Sequence, residues 1–300
     1  MTINLKKILY KFGRFSGLPY FFRELIQRNK VTFLLFHDLK PELALKSFAY
    51  LQKKYNIISL KSYLDAVLQD EKLPKKAMVI TFDDGYIGNY DLLQVVKKLN
   101  IPITIFLCAS IIGTKRKYWF DFNNMPITNI VELNKKSNTE RLKILSKMGF
   151  CPEMEYEDAS ALQPDQIAEM KANIDLQSHA KYHPVFPNCS SEEAWEEIQG
   201  AKRILESQYK LPIYSIAYPN GEYSQRDIDF VKKAGYECAL TVDYGFNDKN
   251  TDLFRLKRMV IRDDHDMHQL IVKSSGAWAF IKTLIRYQPK SGLVASKATG

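Results

Sequence analysis

Short apolar runs alternate with amphipathic stretches along most of this chain. Val31–His37 is a β-branched and aromatic run ending in histidine, and it predicts a buried strand. Leu43–Tyr55 reads as a helix, Asn56–Leu60 as a short strand and Ser62–Leu68 as a second helix. Further strands are predicted at Ala77–Asp84, Pro102–Cys108, Ile174–Ser178, Ile213–Tyr218, Glu237–Val242 and Lys257–Ile261. Helices are predicted between them. Tyr90–Leu99 is one. Ser191–Gln208 has glutamates early and Lys and Arg late, the favourable dipole sense. Ile228–Ala234 is stopped by Gly235. Such alternation argues for an α/β fold with a parallel sheet, open or closed into a barrel. Sites in these folds gather at the C-terminal ends of strands. His37, Asp83, Asp84, His179 and Tyr218-Pro219 all fall at such ends.

Two kinds of segment interrupt the pattern. Residues 113–165 are polar, with Lys-rich pieces and Tyr118-Trp119-Phe120-Asp121 near their start. They read as a helical insertion over the strand ends, a lid or a wall for substrate. The two ends of the chain are basic and amphipathic. Leu5, Ile8, Leu9 and Phe12 follow helical spacing, with Lys6, Lys7 and Lys11 elsewhere on the wheel. Ile281, Leu284 and Ile285, with Lys282 and Arg286, repeat the theme. The expected organisation is a basic segment 1–30, a catalytic domain 31–270 carrying the insertion, and a basic segment 271–300.

Charge sharpens this division. Of the formal net charge of +9, residues 1–30 carry +6 and residues 271–300 carry +5, so the 240 residues between carry −2. A basic face on the body of the fold, which nucleic-acid binding requires, is not expected. The basic ends fit either docking onto anionic lipid or ordinary packing with solvated lysines. No apolar run reaches the ~18 residues of a membrane span. The first residues lack the h-region of a signal peptide. A cytoplasmic protein, peripheral at the inner face of the membrane, is the expectation. Cys108, Cys151, Cys189 and Cys238 are scattered, with no CxxC, and read as reduced thiols.

The chemistry concentrates in Thr81-Phe82-Asp83-Asp84-Gly85-Tyr86. Two adjacent acids at the end of a buried strand are costly unless a cation or a proton compensates. His179 and His183, about a hundred residues on, form His-x-x-x-His. Together they suggest a metal site with one carboxylate left over as a base. Taken alone, the acid pair is equally a turn with capping carboxylates.

Four motifs in order, Phe36-His37-Asp38, Thr81–Tyr86, Ser178-His179-Ala180-Lys181-Tyr182-His183-Pro184 and Ala217-Tyr218-Pro219-Asn220-Gly221, resemble those of the polysaccharide deacetylase family of carbohydrate esterases. The resemblance covers about residues 31–262. It implies a distorted, incomplete (β/α) barrel of parallel strands. It also implies one divalent metal, Zn2+ ahead of other transition metals, and hydrolysis of N-acetyl groups on amino sugars. Asp84, His179 and His183 are then the metal ligands and Asp83 the base. The Asn220 N–H helps hold the oxyanion, and Tyr218-Pro219 walls the groove. Tyr118, Trp119 and Tyr218 are candidates for sugar stacking, with core packing as the alternative.

The chain departs from the family in two places. No Leu-x-His element is evident late in the sequence, so the general acid is expected at His37, with His265 as runner-up. His265 and its polar neighbours Asp263, Asp264, Asp266 and His268 read as a loop. Ala217 stands where many relatives carry an arginine that orients the catalytic aspartate; Arg258 is either its substitute or a plain strand-end arginine. The expected substrate is an acetylated polysaccharide or a lipid-linked glycan of surface-polysaccharide assembly. The alternatives are a deformylase or O-acetyl esterase on a lipid-linked sugar, or a catalytically silent carbohydrate-binding protein. An aspartyl phosphotransferase would need Asp-x-Asp, which Asp-Asp-Gly does not supply.

Overall fold

The computed structural model describes residues 3–286. Residues 287–300, nearly half of the expected basic C-terminal segment, lie outside the described residues, as do the side chains of Lys6, Lys282, Leu284, Ile285 and Arg286.

The strands are β1 (Val31–Phe36), β2 (Asn56–Ile57), β3 (Ala77–Phe82), β4 (Thr104–Leu107), β5 (Asp175–Ser178), β6 (Ser215–Ala217), β7 (Cys238–Leu240) and β8 (Met259–Val260). All their pairings are parallel, in the order β7-β6-β5-β4-β3-β1-β8, with β2 on the first residues of β3. The sheet curls into an incomplete barrel. Leu256, just before β8, bridges Leu240 of β7. One short segment therefore touches both ends of the sheet, and a single bridge spans the gap where a full ladder would close the ring.

Every residue of β1 and β3 is buried, as expected for parallel strands covered on both faces. Alternate residues serve two cores. Leu34, Phe36, Met78, Ile80 and Phe82 pack outward against the helices, including Phe48 and Leu51 of the Pro41–Lys54 helix. Phe33, Val79, Phe106, Ala217, Cys238, Leu240 and Leu256 form the second core, joined by Tyr63 and Leu64 of the Leu60–Leu68 helix. Thr81, Asp83 and Arg258 are buried beside this second core; the Arg258 guanidinium lies 5.7 Å from the Phe106 ring centroid.

The insertion has a small core of its own. Trp119, Phe122, Met125, Leu133, Leu145 and Phe150 pack together around the helices Ile127–Leu133 and Asn138–Lys147. The N-terminal helix Ile3–Phe15 lies on the helices Met267–Ser274 and Ala277–Arg286 through Tyr10, Val272, Ala277, Trp278 and Ile281. The approach is close at Gly13, where a Cβ would meet Ile281 Cδ1 at 2.9 Å.

Observed strands are shorter than the sequence predicts, because the apolar runs continue past the last ladder bond into the loops that carry the site. The polar stretch 263–268 also differs from expectation. It ends in a helix: the Asp266 side chain accepts from the Gln269 N–H at 2.8 Å and caps Met267–Ser274.

Phe82 stacks 5.4 Å from Phe36 and meets Phe48 edge-on at 6.3 Å. Phe82→Ala is expected to cost about 3–5 kcal/mol in urea unfolding. A loss under ~1 kcal/mol would show that this outer layer is not close-packed.

Candidate active site

Strand register assembles the site. Phe36 of β1 pairs with Phe82 of β3, so His37 and Asp83 leave the sheet side by side; the Asp83 N–H donates to Phe36 O at 3.1 Å. Leu107 pairs with Ser178, and the His179 N–H donates to Leu107 O at 2.8 Å. The His179 ring then reaches across to β6, where Nδ1 lies 2.8 Å from Ala217 O. That contact requires the proton on Nδ1 and leaves the Nε2 lone pair facing the acids.

Asp84, His179 and His183 come together. Asp84 Oδ1 is 3.5 Å from His179 Nε2 and 3.4 Å from His183 Nε2. One ligand atom from each residue lies within 4.8 Å of the others, and all three residues are buried. Whether they suit a metal is tested by what they lack. Asp84 Oδ1 is buried with no hydrogen-bond partner. Burial raises the Asp84 carboxyl above its ordinary value and drives His183 well below the usual imidazole range. An orphaned carboxylate oxygen facing two imidazole nitrogens is a fit for a divalent ion of the zinc type.

Asp83 is held separately. Arg258 donates Nη1 to Asp83 Oδ1 at 2.7 Å and Nη2 to Oδ2 at 2.8 Å, a bidentate fork. The fork is fixed from behind: Arg258 Nε donates to Thr241 O at 2.8 Å. Burial alone would push the Asp83 carboxyl up, but the guanidinium, aided by His179, overrides it and holds the group at about 2. Asp83 Oδ2 remains 3.8 Å from His179 Nε2, at the edge of the cluster.

His37 is half-exposed. Its backbone N–H donates to Asp263 Oδ1 at 3.0 Å, its Nδ1 lies 4.0 Å from Asp263 Oδ2, and its carbonyl accepts from Asn89 Nδ2 at 2.7 Å. His265 is placed differently. It is buried, with Nε2 2.8 Å from Ser47 Oγ and Nδ1 2.7 Å from Arg262 O, so both ring nitrogens are engaged. The aromatic candidates are packed in. Tyr118 donates its hydroxyl to Asp84 O at 2.8 Å, Trp119 Nε1 donates to His183 O at 2.9 Å, and Tyr218 donates to Phe254 O at 3.1 Å while stacking 4.9 Å from Tyr223. Each ring is buried. Two of them thus brace backbone carbonyls of the ligand residues themselves.

The loops carry strain. Asp84, Ala180, His183 and Asn220 adopt left-handed φ values of 74°, 64°, 56° and 57°. Gly85 does the same, and a Cβ there would approach Leu107 Cδ2 at 2.6 Å. Sequence reasoning missed Glu197, which holds the ligand loop down. Its Oε2 accepts the Lys181 N–H at 2.8 Å and the Tyr182 N–H at 2.9 Å. It sits within an ordinary amphipathic helix, and no spacing signals it.

A parallel curled barrel with a buried Asp-His-His cluster at its strand ends defines a class of metal-site proteins. The polysaccharide deacetylase family profile matches residues 70–239, more than half of the sequence, and the chain belongs to that family. The polysaccharide deacetylase-type protein YxkH of Bacillus subtilis is 23% identical over 207 residues, which cover 68% of this chain and 58% of that protein. A poly-beta-1,6-N-acetyl-D-glucosamine N-deacetylase of Staphylococcus epidermidis is 23% identical over 238 residues, 79% of this chain and 66% of that one. The chain therefore spans under two thirds of the length of these curated relatives. The structure of Streptococcus pyogenes deacetylase PplD in complex with acetate has the same fold, with a TM-score of 0.61 at 20% identity over 82% of this chain and 99% of that chain.

Burial raises the Glu197 carboxyl to about 7, against the pull of the two backbone N–H groups. A raised acid pKa in the folded state means that ionisation opposes folding. The penalty grows from the ordinary carboxylate range up to pH ~7 and is complete above it, at no more than ~1.4 kcal/mol per unit. Glu197→Gln should therefore gain thermal stability relative to the parent between pH 5 and pH 8, read as a rising Tm difference. A difference flat across that range would refute the raised value.

Proposed function

We propose that this chain is a metal-dependent N-deacetylase that hydrolyses the acetamido group of an amino-sugar unit in a glycan and releases acetate. The observation that carries the reading is the buried Asp84-His179-His183 cluster with a second carboxylate, Asp83, held apart from it by Arg258. The Staphylococcus epidermidis relative is named as such an enzyme, and PplD is described with acetate.

Asp84, His179 and His183 would hold one divalent ion, Zn2+ first. When bound, such an ion polarises a carbonyl and lowers the pKa of water. Asp83 is ionised throughout the working range and takes the proton of the attacking water. Arg258 keeps that carboxylate charged and oriented, the task that an arginine at position 217 would otherwise have. His37, at the open edge of the site and oriented by Asp263, protonates the departing nitrogen, because an amine leaves poorly as its anion. The Asn220 N–H, on a left-handed turn after Tyr218-Pro219, helps hold the oxyanion. Trp119, Tyr118 and Tyr218 support the site from beneath, and sugar contacts fall to the rim.

The glycan is met at a membrane, in this reading as a lipid-linked molecule. Support comes from the Ile3–Phe15 helix. Tyr10 and Gly13 face the protein, whereas Leu5, Ile8 and Phe12 form one stripe on the opposite side, with Phe12 73% exposed; Phe15 continues it at 71% exposed, its ring edge meeting His268 at 5.8 Å. Tyr20, Phe21, Leu25 and Ile26 follow, also exposed, and Lys7 and Lys11 flank the stripe. An outward apolar stripe edged by lysines suits an anionic lipid surface. Among the described residues no helix is long and apolar enough to cross a membrane.

Asp83→Asn should retain metal and lower kcat by roughly 10²- to 10⁴-fold, and His37→Ala should do the same; Asp84→Ala should lose both metal and turnover. Acetate and formate release from acetylated and formylated amino-sugar oligomers, with metal content measured in parallel, provides the readout. Formate alone would replace the deacetylase reading by a deformylase, and unchanged rates in Asp83→Asn would remove the proposed base.

The membrane reading has its own assay. The parent should sediment with phosphatidylglycerol-containing vesicles at low salt and be released at high salt. Phe12→Ser/Phe15→Ser should bind at least ~10-fold more weakly, given the apolar area removed. Equal binding of both proteins would exclude the helix as the contact.

A further inference from the structure

Behind the ligand loop lies a cavity of about 360 Å³, walled by the insertion on one side and Tyr182-Pro184 on the other. Arg141, from the Asn138–Lys147 helix, is 1% exposed and lines it. Its Nη2 donates to Asn138 Oδ1 at 2.5 Å, and its guanidinium stacks on Trp119 at 4.7 Å. Its Nε and Nη1 are buried with no partner. An arginine stays charged in proteins, so two unmet donors on a buried cation are costly. Among the described residues Arg141 makes no ion pair. Lys117, partly buried on the same wall, adds a second positive charge.

Two carboxylates share the lining. Glu153 stands at the exposed mouth. Glu197 turns Oε2 to the Lys181 and Tyr182 N–H groups; it acts on the Arg141 charge through space but forms neither a hydrogen bond nor an ion pair with it. Planar guanidinium forks recognise carboxylate and phosphate, and Trp119 holds the fork flat. The volume is of the order of a small-ligand pocket and accommodates a charged sugar unit.

We propose that this cavity is a binding site for an oxyanion, a carboxylate or phosphate group, held by Arg141 and Lys117. That the oxyanion belongs to the glycan whose acetamido group is hydrolysed rests on the reading above; the anion site itself does not. The site is distinct from the Asp84-His179-His183 cluster but coupled to it. Trp119 carries Arg141 on its face and the His183 carbonyl on its Nε1. Occupancy by an oxyanion would meet the idle donors of Arg141 and fix the Trp119 brace under a ligand residue.

Calorimetric titration of the full chain with glucuronate, inorganic phosphate and neutral N-acetylglucosamine tests this. Saturable binding of glucuronate or phosphate, weakened at least ~10-fold in Lys117→Ala and in Arg141→Lys, is expected. Glucuronate alone would assign a uronate, and phosphate alone a phosphorylated or lipid-phosphate glycan. Saturable binding that still depends on Lys117 should persist in Asp84→Ala, which separates this site from any anion held by a metal. If Arg141→Lys does not fold, Lys117→Ala decides. No saturable binding of either anion, affinity unchanged in the variants, or affinity lost in Asp84→Ala would each overturn the proposal. Acetate release is a separate readout: anion binding without turnover would leave this site standing and remove the deacetylase reading, and turnover without anion binding would do the reverse.

Discussion

The bidentate contact between Arg258 and Asp83 is what makes the rest of the site tolerable. Two adjacent aspartates at the mouth of an apolar barrel would otherwise repel each other and resist desolvation. The guanidinium neutralises one of them, at 2.7 and 2.8 Å, and leaves the other facing two imidazoles. The two carboxylates are thereby given different environments: one keeps its charge through a fixed cation, the other keeps a vacant lone pair. Removing one partner of such a buried pair costs about 3–5 kcal/mol, because the survivor is left uncompensated. The different settings of the two carboxylates are therefore also a condition of stability.

Geometry around the pair follows from strand register and little else. Parallel pairing of β1 with β3 brings His37 beside Asp83, and pairing of β4 with β5 delivers His179. Buried aromatics then finish the work: Tyr118 and Trp119 each donate to a carbonyl of a ligand residue. The left-handed backbone at Asp84, Ala180 and His183 is held by these braces and by Glu197. Residues that resemble sugar platforms in the sequence serve instead as struts.

The strand and helix alternation and the Asp-Asp-Gly and His-x-x-x-His motifs were legible because each is a local signal with a chemical reason. Helix Ser191–Gln208 coincides with its expected bounds, since its Ser190 cap and Glu193 form a capping box. Other features depend on contacts between distant segments and leave no such mark. The sequence offers Arg258 only as one of two alternatives, and its fork is visible only once the barrel curls. His265 reads as a loop residue, yet Ser47 and the Arg262 carbonyl draw it inside. In the N-terminal helix Leu5, Ile8, Leu9 and Phe12 read as one apolar face. The structure turns Leu9 toward Tyr10 and Trp278 and leaves the other three outside, because periodicity does not say which side of a helix finds a neighbour.

The single bridge at Leu256 has a wider reach than its size suggests. Two residues beyond it, Arg258 ties back to Thr241, just past the strand that Leu256 touches. The seam of the barrel and the grip on Asp83 are thus one mechanical element. Any breathing motion that parts β7 from the segment leading into β8 also releases the carboxylate's orientation. In this molecule, the orientation of the Asp83 carboxylate and closure of the ring stand or fall together.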